Sequence, residues 1–223
     1  MRKEEVNRKT ISTVLGVLFF LFLFTLVLFV IANFRPLYRY FFTTYGVYQN
    51  FSGYNVEFLD AKFFSVLDYL NYTGSEPDVQ FFSSEDILHL QDVRNLFGVF
   101  YFAGTIAGTK AVFLVFYFKV RAKEFLNSVR IAAALQIAFA AILLLISFLN
   151  FHDLFIAFHK TVFNNEFWLL DPATSNLIKY LPEAIFRDIA VLLFTVPVAV
   201  ALILYLFAVI WFRLMHTDAE QKR

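Results

Sequence analysis

Four long apolar runs decide what this chain can fold into. Thr10–Phe34, Ile131–Leu149 and Ile189–Phe212 contain no charged residue, and Leu96–Phe118 contains only Lys110. A helix that crosses a bilayer needs about 20 predominantly apolar residues. Four spans are therefore expected, at about 12–32, 96–118, 131–149 and 189–212. Composition agrees, with 60% of residues hydrophobic and 17% charged, where soluble domains carry about 25% charge. The 19 basic and 18 acidic residues leave no basic excess of the kind that nucleic-acid binding requires. With no Cys, disulfide scaffolds, thiolate zinc sites and a thiol nucleophile are excluded together. The first run follows the basic stretch Met1–Lys9 and has the look of a secretory leader, but it is too long for one, so a retained helix is expected.

Lys and Arg near span ends set orientation. One side holds Arg2, Lys3, Arg8, Lys9, Lys119, Arg121, Lys123, Arg130, Arg213, Lys222 and Arg223, all in short segments. The other side is longer, yet it holds only Arg35, Arg39, Lys62, Arg94, Lys160, Lys179 and Arg187. Both termini are thus expected in the cytoplasm. The outer face receives residues 33–95 and 150–188, enough for a small cap. These segments are rich in Phe, Tyr and Trp, which favour the membrane boundary, so most of the aromatic surplus reads as an interfacial belt. The fold class is an all-α membrane protein: one domain of four transmembrane helices with a small aromatic-rich extracellular cap. Asn71–Asp78 is the clearest surface turn.

Several polar groups fall in or near the spans. Lys110 reads as a side chain that snorkels toward the cytoplasm. Gly104 and Gly108 form a small-xxx-small packing face, and Pro197 reads as a kink. Of the four histidines, His216 lies in the cytoplasmic tail as a solvated residue. His89, His152 and His159 fall in the outer segments near span ends. On a helix, Asp86 and Asp92 lie three residues either side of His89 and share its face, and a carboxylate there can fix the imidazole tautomer. His152 and His159 are two turns apart and share a face if the third helix continues through Phe151–Phe163.

Three uses of these histidines stay open on residue types alone. A metal site would need His89, His152, His159 and a carboxylate, but there is no HExxH, and an i, i+7 pair is too far apart to chelate one ion easily. Structural imidazoles bonded to carbonyls are a second use. General acid–base chemistry is the third, because His titrates near working pH and two of them supply a base and an acid together. The outer serines Ser52, Ser65, Ser75, Ser83, Ser84 and Ser175 lack a GxSxG setting, so no serine nucleophile is expected.

Two motifs carry a resemblance. His89–Arg94 (HLQDVR) leads into a span, and Phe158–Phe186 (FHKTVFNNEFWLLDPATSNLIKYLPEAIF) lies between the third and fourth spans. In that order, on four spans with both termini inside, they resemble the lipoprotein intramolecular transacylase family of Gram-positive bacteria. The resemblance implies four helices with an extracellular cap in the plasma membrane. It also implies catalytic histidines matching His89 and His159, while His152 stands outside the motif as a structural residue. Asp92, Arg94, Asn165, Trp168, Asp171 and Pro172 match motif positions, and Phe158 opens the second motif. Arg94 in place of a Lys of relatives keeps the charge and changes the geometry.

The implied reaction moves an acyl chain within one membrane-anchored diacylglyceryl lipoprotein. The chain leaves the sn-2 oxygen of the glyceryl group and ends on the α-amino group of the N-terminal Cys, giving a lyso-form lipoprotein. The residue inventory suits such chemistry. The attacking amine belongs to the substrate, and ester-to-amide exchange runs downhill, so no cofactor or metal is expected. A base takes a proton from an α-ammonium whose reference pKa is about 7.7–8.0, an acid protonates the leaving oxygen, and Arg94 or Asn165 could hydrogen-bond the oxyanion. Closing a ring on a floppy linker costs entropy that a confining pocket recovers. Trp168, Phe158, Phe163, Phe167, Tyr69 and Phe97 are candidates for its wall. Two other readings are weighed against this one. A non-catalytic lipid- or lipoprotein-binding membrane protein would tolerate loss of His89. A small-solute or metal transporter would need a polar path, for which the spans offer only Lys110, Thr105, Thr109, Gln136 and a few hydroxyls.

Overall fold

The structure, a computed structural model, describes residues 2–221, and of these the side chains of 2–6, 212 and 214–221 lie outside the description. The expectations for Lys222 and Arg223 therefore fall outside the described residues, and those for the side chains of Arg2, Lys3 and His216 fall outside the description. Seven α-helices and one 3-10 turn follow in order, with no strand among the described residues. They are α1 (Arg2–Asn33), α2 (Arg35–Thr44), the turn Val47–Asn50, α3 (Val56–Leu70), α4 (Ser84–Tyr117), α5 (Ala122–Val162), α6 (Asn176–Tyr180) and α7 (Glu183–Gln221). Within α1, α4, α5 and α7 lie four stretches long and apolar enough to cross a membrane: Asn7–Asn33, Ser84–Tyr117, Ala122–Val162 and Glu183–Trp211. Each helix runs beyond the apolar core read from the sequence. Most of the expected loop 119–130 is already the first turns of α5.

The described residues fall into two compact units. The first is drawn from Met1–Val27, Phe102–Leu144 and Leu192–Arg223. Close helix approach here depends on small residues, as in other membrane helices. A methyl group at Gly104 would come within 2.5 Å of Thr25 Cγ2, one at Gly108 within 2.9 Å of Phe22 Cδ2, and one at Gly16 within 2.6 Å of Ile131 Cγ2. The Gly104–Gly108 face thus packs on α1, as its spacing predicts. Phe139 of α5 meets Phe20 and Phe24 of α1 and Phe194 of α7 edge-on at 5.7–5.9 Å. Gln136 is buried and donates from Nε2 to the Phe20 carbonyl at 3.1 Å. That bond satisfies a polar group that would otherwise cost several kcal/mol in hydrocarbon. Pro197 is buried inside α7, which continues as helix on both sides of it. Lys110 is exposed on α4.

The second unit, Leu28–Tyr101 with Leu145–Val191, has a core of its own. In α2, Pro36 sits in the first turn, where its missing N–H costs nothing, and Tyr38, Phe41 and Phe42 at i, i+3, i+4 are buried. Asn55 caps α3, accepting from Phe58 N at 2.8 Å, and α3 buries Leu59, Phe63, Phe64, Leu67 and Leu70. The aromatic surplus is used here. Phe42, Phe63, Phe82 and Tyr180 are almost fully buried, with Phe42–Phe63 at 4.8 Å and Phe51–Tyr180 at 4.5 Å. These rings fill an interior, because a unit of short helices needs large side chains to close its core.

Polar anchors sit inside that core. Tyr180 donates to the Leu59 carbonyl at 2.9 Å. Buried Asp60 accepts from Tyr48 Oη at 2.7 Å and Arg39 Nε at 2.6 Å. Burial and, after it, the Asp60 carboxylate hold both phenols, Tyr48 and Tyr180, well above the usual tyrosine range. The expected turn at Asn71–Asp78 is present, but Asn71 is buried and accepts from Asn33 Nδ2 and Tyr101 Oη.

Candidate active site

The second unit brings His89 and His159 together. His89 lies in the second turn of α4, and the start of that helix is fixed by reciprocal capping. Ser83 Oγ accepts from Asp86 N at 3.1 Å, and Asp86 Oδ2 accepts from Ser83 N at 3.1 Å. His159 comes from the last turn of α5. That helix is broken at Asn150, whose backbone is extended (φ −161°, ψ 91°). Asn150 Oδ1 accepts from Asp153 N at 3.2 Å, so it caps the segment that carries His159 as a fresh helix. The outward continuation expected for the third helix exists, with this break inside it.

The two rings lie 5.9 Å apart, tilted by 37°, and the residues are 8% and 7% exposed. His159 Nδ1 is 2.7 Å from the Phe155 carbonyl. Only an N–H can make that contact, so Nδ1 carries a proton and the neutral ring presents its lone pair at Nε2. His89 Nδ1 is buried with no partner among the described residues. A buried nitrogen with no bond is costly, and such groups in native folds call for an explanation.

Aromatic rings enclose the pair. His159 touches Phe155 at 4.1 Å, Trp168 at 5.1 Å, Phe158 at 5.4 Å and Phe163 at 5.6 Å. Phe163 also meets His89 edge-on at 5.2 Å. Of the expected wall, Trp168, Phe158 and Phe163 stand at the pair. Phe167 is exposed, Tyr69 lies under Arg94, and Phe97 pairs with Tyr101 at 5.8 Å. Phe155, read in the sequence only as part of the helical face of Phe151–Phe163, stands one turn before His159.

The loop after α5 is organised from Asn165. Its Nδ2 donates to Asp92 Oδ2 at 2.8 Å, its carbonyl accepts from Trp168 Nε1 at 3.0 Å, and its Oδ1 accepts from Phe167 N at 3.0 Å. Asp92 of α4 therefore holds the loop that lays Trp168 on His159. Asp171 is exposed and makes a turn, with Oδ1 accepting from Ala173 N at 2.9 Å and its carbonyl from Ser175 N at 2.8 Å. Its contacts serve the approach to α6 and do not reach the imidazoles. Arg94 is five residues beyond His89, about 140° around the helix. Its guanidinium lies over Tyr69 at 4.3 Å and Tyr72 at 4.4 Å, with Nε buried and without a partner among the described residues.

Two expectations change. Asp86 does not orient His89. It is fully buried, and besides Ser83 N it accepts from Ser175 Oγ, from Asn176 N at 3.1 Å and from Leu177 N at 3.3 Å. One carboxylate thus caps both α4 and α6, because negative charge and acceptors are favoured at helix N-termini. His152 does not share the site of His159. Its Nδ1 lies 2.9 Å from Glu183 Oε2 on an exposed face. Among the described residues no three His, Asp or Glu side chains cluster as metal ligands.

Comparison with known proteins follows the same lines. The sequence matches the family described as lipoprotein intramolecular transacylase Lit over residues 13–186. Among curated proteins no match is found. The solved structure of the membrane-integral lipoprotein intramolecular transacylase Lit from Bacillus cereus superposes with a TM-score of 0.81 at 20% identity, over 94% of this chain and 99% of that one. Two structures of the same Bacillus cereus protein with a histidine replaced, by Arg and by Ala, give TM-scores of 0.75 and 0.76 at 21% identity. Each covers 96% of this chain, and 97% and 98% of the relative. At that identity the likeness is one of fold, and it is a likeness to a membrane-integral protein. With the family match spanning both the His89 and His159 motifs, the chain belongs to the lipoprotein intramolecular transacylase family, membrane-integral acyltransferases that act on lipoproteins.

Proposed function

We propose that His89 and His159 are the acid–base pair of an intramolecular O-to-N acyl transfer, working without metal or cofactor. The observation that carries this reading is the pair itself: two buried imidazoles, 5.9 Å apart, in an aromatic enclosure. A general base or acid works within about 2.6–3.2 Å of its proton. With their ring centroids 5.9 Å apart, both imidazoles are near enough to each other to serve substituents of one carbonyl carbon brought beside them. The substrate is a diacylglyceryl lipoprotein with a free N-terminal Cys. His159, whose proton is held at Nδ1 by the Phe155 carbonyl, offers Nε2 as base to the α-ammonium. The freed amine attacks the sn-2 ester carbonyl, forming the N–C bond. As the tetrahedral centre collapses, the C–O bond breaks. His89, kept neutral by burial, gives its N–H proton to the glyceryl oxygen while its other ring nitrogen takes the surplus proton of the newly acylated nitrogen. His159 releases the first proton to water. The products are an N-acyl amide and a glyceryl hydroxyl, and one O-acyl chain remains.

Other motif residues position these groups. Asp92 and Asn165 hold the loop that keeps Trp168 on His159, and the second N–H of the Asn165 amide suits a developing oxyanion. Trp168, Phe158 and Phe163 exclude water and confine the linker between amine and ester. Arg94, stacked between Tyr69 and Tyr72, fixes the side of α4 beyond the site. We place the site on the extracellular face, under a cap formed by residues 33–95 and 150–188, with both termini cytoplasmic. The basic bias of the short segments supports this orientation.

The test is tandem mass spectrometry of lipoprotein N-terminal peptides from bacteria lacking N-acylating enzymes. Cells would express this chain, His89→Ala or His159→Ala. The expected product is an isomer of unchanged mass whose fragments place one acyl chain on nitrogen, absent with either variant. Retention of the diacylglyceryl form in cells carrying the unmutated chain would refute the activity. Full product from either variant would refute the histidine mechanism.

A further inference from the structure

The first unit carries two neighbouring cavities lined by α1, α5 and α7. One, of about 950 Å³, is lined by Arg8, Lys9, Arg121, Lys123 and Arg130. Against these five cations, Glu124 is the one acidic lining residue among those described. Its carboxylate is occupied, hydrogen-bonded to Arg121 and 3.6 Å from Arg8 Nη1. The other cavity, of about 600 Å³, is apolar, with Phe19, Leu23, Phe125, Val129, Leu204 and Trp211 in its lining. On α5 the two linings interleave, since Phe125 and Val129 face the apolar space while Lys123, Leu126 and Arg130 face the basic one.

We infer that this pair of cavities is a binding site for an anionic phospholipid, with the headgroup phosphate among the cations and an acyl chain along the apolar cavity. Both volumes fall in the range of small-molecule sites, about 300–1,000 Å³. Basic pockets between membrane helices suit acidic headgroups, and each Lys or Arg near an anionic surface adds to the attraction. Charge complementarity selects the class of lipid. A zwitterionic headgroup would bring an ammonium into the same cluster and lose that advantage. The apolar cavity separates a lipid from a free anion, which would gain nothing from Phe19, Phe125 or Trp211.

The test uses the full chain purified in detergent, with phosphatidylglycerol, phosphatidylcholine or inorganic phosphate added in turn. The expected result is a rise in Tm with phosphatidylglycerol alone. Lys123→Gln combined with Arg130→Gln should weaken that lipid's half-saturation by about thirtyfold, the effect of removing two such charges. An equal shift with phosphatidylcholine, or an unchanged response in the double variant, overturns the site. An equal shift with inorganic phosphate shows a free-anion site and overturns the lipid. A photoreactive phosphatidylglycerol with its diazirine in the acyl chain tests the unmutated protein directly. Labelling within the apolar cavity at Phe19–Leu23 or Phe125–Ala132 is expected, and labelling spread over the exposed faces of the helices overturns the proposal.

Discussion

Asp86→Ala separates a carboxylate that builds the site from one that takes part in the chemistry. Asp86 is fully buried and receives four donors: Ser83 N, Ser175 Oγ, Asn176 N and Leu177 N. Truncation strands the two buried donors, Ser175 Oγ and Leu177 N, at about 1–1.5 kcal/mol each, and weakens the two part-buried ones by less. The sum is about 3 kcal/mol, a large fraction of a total that is usually about 5–15 kcal/mol. For a chain of this size that corresponds to a fall in Tm of about 6–12 °C. Near-ultraviolet circular dichroism in detergent follows the aromatic core directly. Activity below the new Tm should fall only in proportion to the folded fraction, because no oxygen of Asp86 is bonded to the imidazole of His89. A variant with unchanged Tm and abolished transfer would refute this reasoning and return Asp86 to the role of orienting His89.

Four further outcomes are expected. His89→Ala and His159→Ala each abolish transfer while leaving the far-ultraviolet spectrum intact, and an active His159→Ala would refute its role as base. Trp168→Ala, which removes the ring packed on His159 at 5.1 Å, lowers kcat/KM by about 10²-fold through mispositioning, measured on a synthetic lipopeptide. Gly104→Ala drives a methyl group toward Thr25 and destabilises the chain by about 1–3 kcal/mol, read from thermal unfolding; an unchanged Tm would refute the close approach. Alkali should loosen the aromatic core. Tyr48 and Tyr180 are held above the usual tyrosine value by burial, first, and then by Asp60. Raised folded values give a contribution that is complete below the unfolded value of about 10 and lost as pH rises through the folded ones. Absorbance at the phenolate band should show both ionising only together with loss of the near-ultraviolet signal.

The spans were legible because a bilayer imposes a length and forbids charge, and four runs meet both conditions. Helix ends were less so. Glu124 caps α5 from three residues beyond Arg121, whose N donates to it at 2.9 Å. This starts the helix well before the apolar run, at a place where a basic loop was the natural expectation. The second unit was hardest to foresee. Its core joins Phe42, Phe63, Phe82 and Tyr180 from four separate segments, and nothing in local periodicity distinguishes such rings from an interfacial belt. The two histidines were legible as residues through their motifs, but no spacing rule links positions 89 and 159. Helical spacing misled at Asp86, which does lie near His89 in sequence. The spacing carries no information on the backbone N–H groups of α6 that claim its carboxylate. For Arg94, charge alone suggested an oxyanion partner, whereas the two tyrosine faces that hold it come from α3 and from the loop after it.

Trp168 has one more consequence. The chain contains only two tryptophans, and the other, Trp211, lies in α7 beside Phe207 at 6.2 Å. Replacing Trp211 with Phe leaves a single indole, tilted by 32° against the His159 ring with centroids 5.1 Å apart. Indole emission is quenched by a neighbouring imidazolium and shifts when water leaves its surroundings. The ring enclosure around His159 thus doubles as an optical probe, and protonation of His159 and arrival of a lipid chain become separable by intensity and by colour in one unlabelled sample.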